Sequence, residues 1–222
     1  MKNNVIVFAA HPDDEVLGCG GTILKHVSDG DNVTVVFISD GESSRVIKED
    51  SIEARCTAAR KASNILGCNQ PIFLNLSDNM LDTYPLLEII KKIEEIILKF
   101  EPNIVYTHYY NDLNIDHQIT CRSVLTACRP LPNSLINSIL LFETPSSTEW
   151  GETRDIFVPQ KFVNISDFIK VKRKALEAYK DEMRDFPHPR SYKAIEAIDS
   201  FRGATAGYNS AEAFEIYRKI LK

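Results

Sequence analysis

The sequence contains no Cys-x-x-Cys pair, although five of its 222 residues are cysteines. Zinc ribbons are built on such pairs, so the pattern argues against that kind of site. An odd number of cysteines in a chain of this length is typical of reduced thiols. We therefore predict mostly buried, reduced thiols at Cys19, Cys56, Cys68, Cys121 and Cys128.

Long apolar runs and an excess of basic residues are also missing. No run approaches the roughly 20 apolar residues that a membrane span needs. The apolar stretch near the start is interrupted after Ala10 and lacks a small-residue cleavage site, so no signal peptide is predicted. The chain has 26 Lys and Arg against 31 Asp and Glu, a net charge of −5 that argues against nucleic acid as a partner. We expect a cytoplasmic protein without a transmembrane segment.

Linkers and repeats are absent as well. No Gly/Ser- or Pro-rich stretch, charge block, low-complexity tract or internal repeat divides the chain. A chain of this length can bury about 70% of its surface without disulfide support. We therefore predict one domain over residues 1–222, with a core at 1–142 and a C-terminal elaboration at 143–222.

Apolar segments rich in Val, Ile and Phe alternate with segments of helical periodicity. The apolar segments are residues 5–10, 33–38, 71–76, 104–108 and 138–142. Pro85 fits the first turn of one intervening helix, and Asp50 and Glu53 resemble a capping pair before another. Continuous apolar strands joined by helices are typical of a parallel sheet buried on both faces. The pattern predicts an α/β fold with a Rossmann-like, doubly wound, mostly parallel sheet.

The C-terminal part lacks the regular alternation of apolar and helical segments. A polar loop follows residue 142, and residues 161–165 are predicted to form a short strand. Ser166 is placed to cap the next helix. The last forty or so residues read as helices separated by the sequences PHPRS and RGATAGY, so the elaboration is predicted to be mainly helical.

Polar side chains follow the first and the fourth predicted strands directly. The sequence AHPDDE begins at Ala10, and HYYNDLNIDH begins at His108. In a doubly wound sheet the ligand crevice lies beyond the carboxyl ends of the strands, where the winding reverses between these two strands. The two clusters are therefore expected to meet.

Three residues of these clusters form a candidate metal site. His11 and Asp14 are three residues apart around a turn that opens a helix, and His117 comes from the opposite loop. Two imidazoles and one carboxylate leave open positions for water and substrate, which is typical of catalytic zinc, although the same set also suits Fe(II). Asp13 would stay free of the metal and could act as a general base.

Other interpretations of these residues remain open. Acidic residues at a helix start could merely complement the helix dipole. Asp116 could contact substrate, cap its helix or orient His117. The glycines at positions 18, 20 and 21 loosely resemble a dinucleotide motif, but they follow an acidic turn that would repel pyrophosphate. We expect them to allow close packing between helix and sheet.

The sequences AHPDDEVLGCGGT and NDLNIDH together resemble the LmbE-like, or PIG-L-like, metal-dependent N-deacetylases. The resemblance covers the predicted core to about residue 142. It implies a Rossmann-like fold, zinc ligands at His11, Asp14 and His117, and a general base at Asp13. It also implies an N-acetylated sugar as substrate.

One position departs from that family. Many relatives carry His-x-Asp-His at the last zinc ligand, and this chain has Asn114 where the first His would stand. That His is credited with stabilising the oxyanion, which Asn114 could do only through a neutral hydrogen bond. His188, within PHPRS, is the leading candidate to replace it, and His108 at the end of the fourth strand is another.

Five further residues are candidates for substrate contact. Arginines can bind a phosphate or a sugar hydroxyl through two hydrogen bonds, and a loop tryptophan can stack on a sugar face. The acidic candidates follow predicted strands on the crevice side. Each residue could instead have a structural role. The candidates are Arg55, Arg190, Asp78, Asp116 and Trp150.

These features predict a zinc-dependent hydrolase that removes acetyl from an N-acetylated sugar, with one zinc ion per chain. The sugar is expected to be of the N-acetylglucosamine type, on a nucleotide, lipid or glycoside carrier. Alternatives are an amidase that acts on a larger acyl or thiol conjugate of an aminosugar, and a glycan-binding module without turnover. A homo-oligomer is compatible with the sequence.

Overall fold

The computed structural model describes residues 2–44 and 51–221. Within these segments the chain forms one seven-stranded sheet, in the order β3-β2-β1-β4-β5-β7-β6. Strands β1 to β5 are parallel to one another, whereas β7 runs antiparallel to both β5 and β6. The strands are β1 (Asn4–Ala9), β2 (Asn32–Ser39), β3 (Ile72–Leu76), β4 (Ile104–His108), β5 (Ser138–Phe142), β6 (Lys161–Asn164) and β7 (Ala211–Lys219).

Helices cover both faces of this sheet. They are α1 (Asp14–Ser28), α2 (Ser51–Leu66), α3 (Leu86–Phe100), α4 (Ile115–Ala127), α5 (Ile169–Ala178) and α6 (Tyr192–Ala206). In β1, Val5 and Val7 point into a core with α1, α2 and α5, while Ile6 and Phe8 point into a second core with α3 and α4. Burial on both sides explains the uninterrupted apolar strands and confirms the predicted doubly wound α/β fold.

The topology brings the two polar clusters together, as predicted. Strands β1 and β4 are adjacent and parallel, so their carboxyl ends meet at one edge. The turn after β1 enters α1 on one face, and the loop after β4 enters α4 on the other. Among the residues described, no helix has the length and apolar character that crossing a membrane requires.

Three local predictions need correction, and one falls outside the described segments. Helix α5 begins at Ile169 without a side-chain cap, and Ser166 instead donates to Asn164 Oδ1 at 2.7 Å. Asn114, not Asp116, is the N-cap of α4, because its Oδ1 accepts the Asp116 N–H at 2.8 Å. Asp50 of the predicted capping pair lies outside the described residues.

The third correction concerns the last segment, Ala211–Lys219, which forms a strand and not the predicted helix. Its sequence, AEAFEIYRK, is rich in residues that favour helices. The segment nevertheless fills the gap between β5 and β6, where it pairs with both strands. Pairing and burial therefore outweigh the local preference.

Candidate metal and catalytic site

The turn between β1 and α1 positions His11 and Asp14. The His11 backbone N–H donates to Asp14 Oδ2 at 2.9 Å, which ties the aspartate to the start of the turn. Asp13 has a φ of 129°, a conformation that is rare and costly for a residue with a side chain. Backbone strain of this kind is concentrated at functional sites, so the turn itself marks a candidate site.

Atoms from His11, Asp14 and His117 converge on one point. His11 Nδ1 lies 3.1 Å from Asp14 Oδ2, and His117 Nε2 lies 3.3 Å from each of these two atoms. Two ligands held at about 2.1 Å on a tetrahedral zinc ion are about 3.4 Å apart. All three side chains are buried. The triangle therefore fits a zinc ion, and it matches the ligand set that the sequence predicts.

The pKa values of this group show how strongly the three side chains interact. Burial alone would raise the pKa of Asp14, but the neighbouring His117 and His11 hold it well below its usual value. Burial lowers the pKa of His117, yet Asp14 and Asp112 more than offset this and raise it to about 9. A cation replaces the proton that such a cluster would otherwise hold.

The second ring nitrogen of His117 contacts Asp112, a residue that the sequence analysis did not single out. His117 Nδ1 lies 3.1 Å from Asp112 Oδ1. The Ser147 hydroxyl donates to the same oxygen, and the Thr148 hydroxyl donates to Asp112 Oδ2 at 2.6 Å. A carboxylate on the outer nitrogen fixes the tautomer and orientation of a metal-binding histidine. Asp112 lies within the sequence NDLNIDH, and this position near His117 is the one sequence feature that could have indicated its role.

Two further carboxylates contact the outer nitrogen of His11. His11 Nε2 lies 3.1 Å from Asp78 Oδ1 and 3.3 Å from Asp116 Oδ2. Asp116 also accepts the backbone N–H groups of Asn79 and Leu81. Both residues were predicted to contact substrate, and these contacts favour a role in orienting His11 instead. The histidine whose ring contacts the Asp116 carboxylate is therefore His11, and not His117, which the sequence suggested as its partner.

Asp13 lies beside the metal-ligand set with its two oxygens in different surroundings. Oδ2 is 2.9 Å from Arg190 Nη1 and 3.3 Å from Arg55 Nη2. Oδ1 is buried and has no hydrogen-bond partner among the described residues. Burial raises the pKa of Asp13, although both arginines oppose the shift. One oxygen is thus held in place while the other is available to accept a proton.

The two arginines share Glu182 as a counter-ion. Arg55 Nη1 lies 2.5 Å from Glu182 Oε1, and Arg190 Nη1 lies 3.9 Å from Glu182 Oε2. Glu182 is buried in the C-terminal part, in a short 3-10 helix at Lys180–Glu182. No local motif connects this glutamate to the turn after β1, which lies far away in the chain, so the sequence alone does not indicate its role.

The three candidates for oxyanion stabilisation lie in different settings. His108 Nε2 accepts the Ala10 N–H at 2.9 Å, and its ring stacks on His117 with centroids 3.9 Å apart. His188 Nδ1 accepts the Arg190 N–H at 3.0 Å. The Asn114 side chain caps α4. These contacts favour structural roles for His108 and Asn114, and the predicted catalytic role of all three stays a prediction.

Trp150 is half exposed and lies edge-on to His188, with ring centroids 6.2 Å apart. It is not packed into the core, which was the alternative interpretation of a loop tryptophan. Its position beside the PHPRS segment is compatible with the predicted stacking on a sugar, which stays a prediction.

Fold and site together define an α/β protein with a candidate metal site, in which three ligands leave a position open, as in catalytic zinc sites. A profile of the PIG-L family, described as GlcNAc-PI de-N-acetylase, matches residues 6–128. The chain is also 32% identical over 185 residues to the uncharacterized deacetylase YaiS of Escherichia coli (strain K12), and the match covers 81% of this chain and 91% of that protein. The chain belongs to the PIG-L family of deacetylases, which are hydrolases that act on amide bonds.

Solved structures share the fold. N,N'-diacetylchitobiose deacetylase from Pyrococcus horikoshii has a TM-score of 0.79 at 24% identity, covering 96% of this chain and 83% of that chain. GalB, the 4-carboxy-2-hydroxymuconate hydratase from Pseudomonas putida KT2440, has a TM-score of 0.79 at 20% identity, covering 100% and 98%. Because a hydratase has this fold as well, the fold alone does not assign the reaction.

Proposed function

We propose that the chain is a zinc-dependent hydrolase that removes the acetyl group from an N-acetylated sugar of the N-acetylglucosamine type. The observation that carries the proposal is Asp13, which has a buried oxygen without a hydrogen-bond partner in the described part of the chain, beside three converging candidate ligand atoms. A purely structural metal site has no use for such a carboxylate. The family's description and the chitobiose deacetylase from Pyrococcus horikoshii support an aminosugar as substrate.

The chain's own residues have distinct roles in this reaction. When bound by His11, Asp14 and His117, zinc supplies a Lewis acid that activates water and polarises an amide carbonyl. Asp13 takes a proton from water as the water oxygen forms a bond to the carbonyl carbon. The C–N bond then breaks, and Asp13 passes the proton to the departing amine. The products are acetate and a free aminosugar.

Zinc is the proposed metal, at one ion per chain, because imidazole and carboxylate ligands with an open position are typical of catalytic zinc. The same ligands also occur in Fe(II) oxygenases. Metal analysis of the purified protein, together with oxygen uptake during turnover, separates the two. We expect stoichiometric zinc and no oxygen uptake.

The proposal is tested by acetate release from a panel of N-acetyl sugars that includes free, nucleotide-linked, lipid-linked and glycosidic forms. We expect release from at least one carrier, loss of release with a chelator, and recovery on addition of zinc. N-propionyl and N-butyryl analogues of the best substrate test the alternative of an amidase for larger acyl groups. Tight sugar binding without any amide cleavage would instead indicate a glycan-binding module.

A further inference from the structure

The site has a metal-ligand set and a base, but the family's usual histidine for the oxyanion is replaced by Asn114. The Asn114 side chain is engaged at the start of α4, where Oδ1 accepts the Asp116 N–H and Nδ2 donates to Asn79 Oδ1 at 3.4 Å. An asparagine also lacks the positive charge of an imidazolium. Asn114 is therefore not a source of positive charge beside the proposed zinc ion.

The two histidines that were also predicted for this role have other contacts in the structure. His108 is fully buried, and its Nε2 already accepts the Ala10 N–H. His188 uses Nδ1 to accept the backbone N–H of Arg190, and the one ring that it contacts among the described residues is that of Trp150. Through this hydrogen bond His188 holds the backbone of Arg190.

Arg190 reaches the site from the C-terminal part. Its Nε donates to Ser146 Oγ at 2.8 Å, and its Nη1 donates to Asp13 Oδ2 at 2.9 Å. Its Nη2 makes no hydrogen bond to a described residue and lies 3.9 Å from Asp14 Oδ1. Because the other oxygen of Asp14 belongs to the metal-ligand set, Nη2 lies at the edge of that set, in an ion pair with Asp14 but with no hydrogen bond to a described residue.

Arg55 also contacts Asp13 and Glu182, but it is less exposed and more tightly paired than Arg190. Its side chain is 6% exposed against 19% for Arg190. It lies 3.3 Å from Asp13 and is tightly paired with Glu182. Arg55 therefore has the contacts of a buried group that positions Asp13, whereas Arg190 is the partly exposed cation that a substrate can reach.

We propose that Arg190 is a catalytic residue for the deacetylation, and that its Nη2 donates to the amide oxygen as this oxygen gains negative charge. This inference rests on the proposed function. As water adds to the carbonyl carbon, a proton moves to Asp13 and the carbonyl electron pair moves to the oxygen beside Arg190. When the C–N bond breaks, the pair returns to the carbonyl, the departing nitrogen takes the proton from Asp13, and the acetic acid formed loses the second proton of the water to solvent as acetate. A fixed donor of this kind acts mainly on the transition state.

The test compares Arg190→Gln and Arg190→Lys with the wild type on the best N-acetyl sugar. Arg190→Gln is expected to lower kcat about 100- to 1,000-fold with little change in KM. Arg190→Lys keeps the charge but loses the planar pair of donors, so we expect an intermediate kcat. Arg184→Gln is the matched control, because Arg184 is exposed on the same segment and bonds only to main-chain oxygens through its side chain. It should leave kcat unchanged.

A binding measurement separates oxyanion stabilisation from positioning of Asp13. A methylphosphonamidate of the same sugar carries a tetrahedral anion where the carbonyl reacts, and its affinity can be measured by calorimetry. We expect Arg190→Gln to weaken this affinity by about the same factor as kcat/KM, with zinc content and affinity for the aminosugar product unchanged. Unchanged analogue affinity with a shifted acid limb of the pH profile would overturn the inference, because Arg190 would then only position Asp13.

The wild type is assayed first, so failure of the proposed function is distinguishable. If it releases acetate from no member of the sugar panel, the proposed function and this inference are both wrong. If it is active and the analogue binds both proteins equally well, only the inference is wrong.

Discussion

His117 and Asp112 are joined by a contact of 3.1 Å between Nδ1 and Oδ1, and both side chains are buried. Asp112 is itself fixed by the hydroxyls of Ser147 and Thr148. With the proton of a neutral imidazole on Nδ1, the lone pair of Nε2 faces His11 and Asp14. This pairing allows the folded chain to present a preformed ligand set.

The first prediction concerns this contact. Asp112→Asn should weaken zinc affinity about 10- to 100-fold, because the amide no longer stabilises the required tautomer of His117. Competition with a chromogenic chelator measures the change. Asp82→Asn is a suitable control, since Asp82 is exposed. Equal zinc affinity in Asp112→Asn and the wild type would show that Asp112 does not orient His117.

The second prediction is the pH dependence of zinc binding. The pKa of His117 is lowered by burial but raised overall to about 9 by Asp14 and Asp112. Burial also lowers the pKa of His11, but contacts with Asp116, Asp14 and Asp78 raise it overall, so zinc must displace protons from both histidines. Its affinity should therefore fall as pH decreases below about 9, by at least about tenfold per pH unit. Chelator competition at pH 6, 7 and 8 measures the slope. A flat affinity over this range would contradict the prediction.

The third prediction separates the base from the metal ligands. Asp13→Asn should lower the rate of acetate release about 100- to 10,000-fold while zinc stays stoichiometric, because an amide cannot take the proton that Oδ1 accepts. His117→Ala should lose zinc as well as activity. Acetate assays and metal analysis on the same preparations distinguish the two variants. Full activity of Asp13→Asn would exclude Asp13 as the base.

Much of the fold and the ligand set could be predicted from the sequence because the relevant signals are local. His11 and Asp14 lie within the turn that follows β1, and His117 follows β4, the strand that pairs with β1. A parallel sheet puts the ends of β1 and β4 side by side whatever the intervening sequence is. The strands are buried on both faces, so they appear in the sequence as continuous apolar segments that can be recognised directly.

The C-terminal contributions depend on long-range contacts that no short motif contains. Glu182 lies beside Arg55 because the chain folds back across α1 and α2, and nothing around either residue indicates the pairing. The strand at Ala211–Lys219 is decided by its neighbours β5 and β6, not by its own composition. Such contacts form only once the sheet is assembled, so they cannot be predicted from a short stretch of sequence.

A buried ionic cluster behind the site also depends on contacts between residues that are far apart in the chain. Lys172 is almost fully buried, and its Nζ lies 2.9 Å from Asp199 Oδ1 and 2.8 Å from Glu212 Oε1. Glu212 also accepts the backbone N–H groups of Gly21 and Thr22 in α1. The cluster therefore ties β7, α5 and α6 to the helix that carries Asp14.

The fourth prediction is that Lys172→Met destabilises the protein by about 3–5 kcal/mol, because two buried carboxylates lose their cation. The loss should be smaller at pH 5 than at pH 8. Burial already raises the pKa of Asp199 to about 6 despite Lys172, and removing the lysine raises it further. The folded variant then binds protons more readily than its unfolded chain, so it gains stability as pH falls. Urea unfolding at both pH values measures the free energies. Lys193→Met, at an exposed lysine, is the control, and an equal loss at both pH values would show that the carboxylates do not cause it.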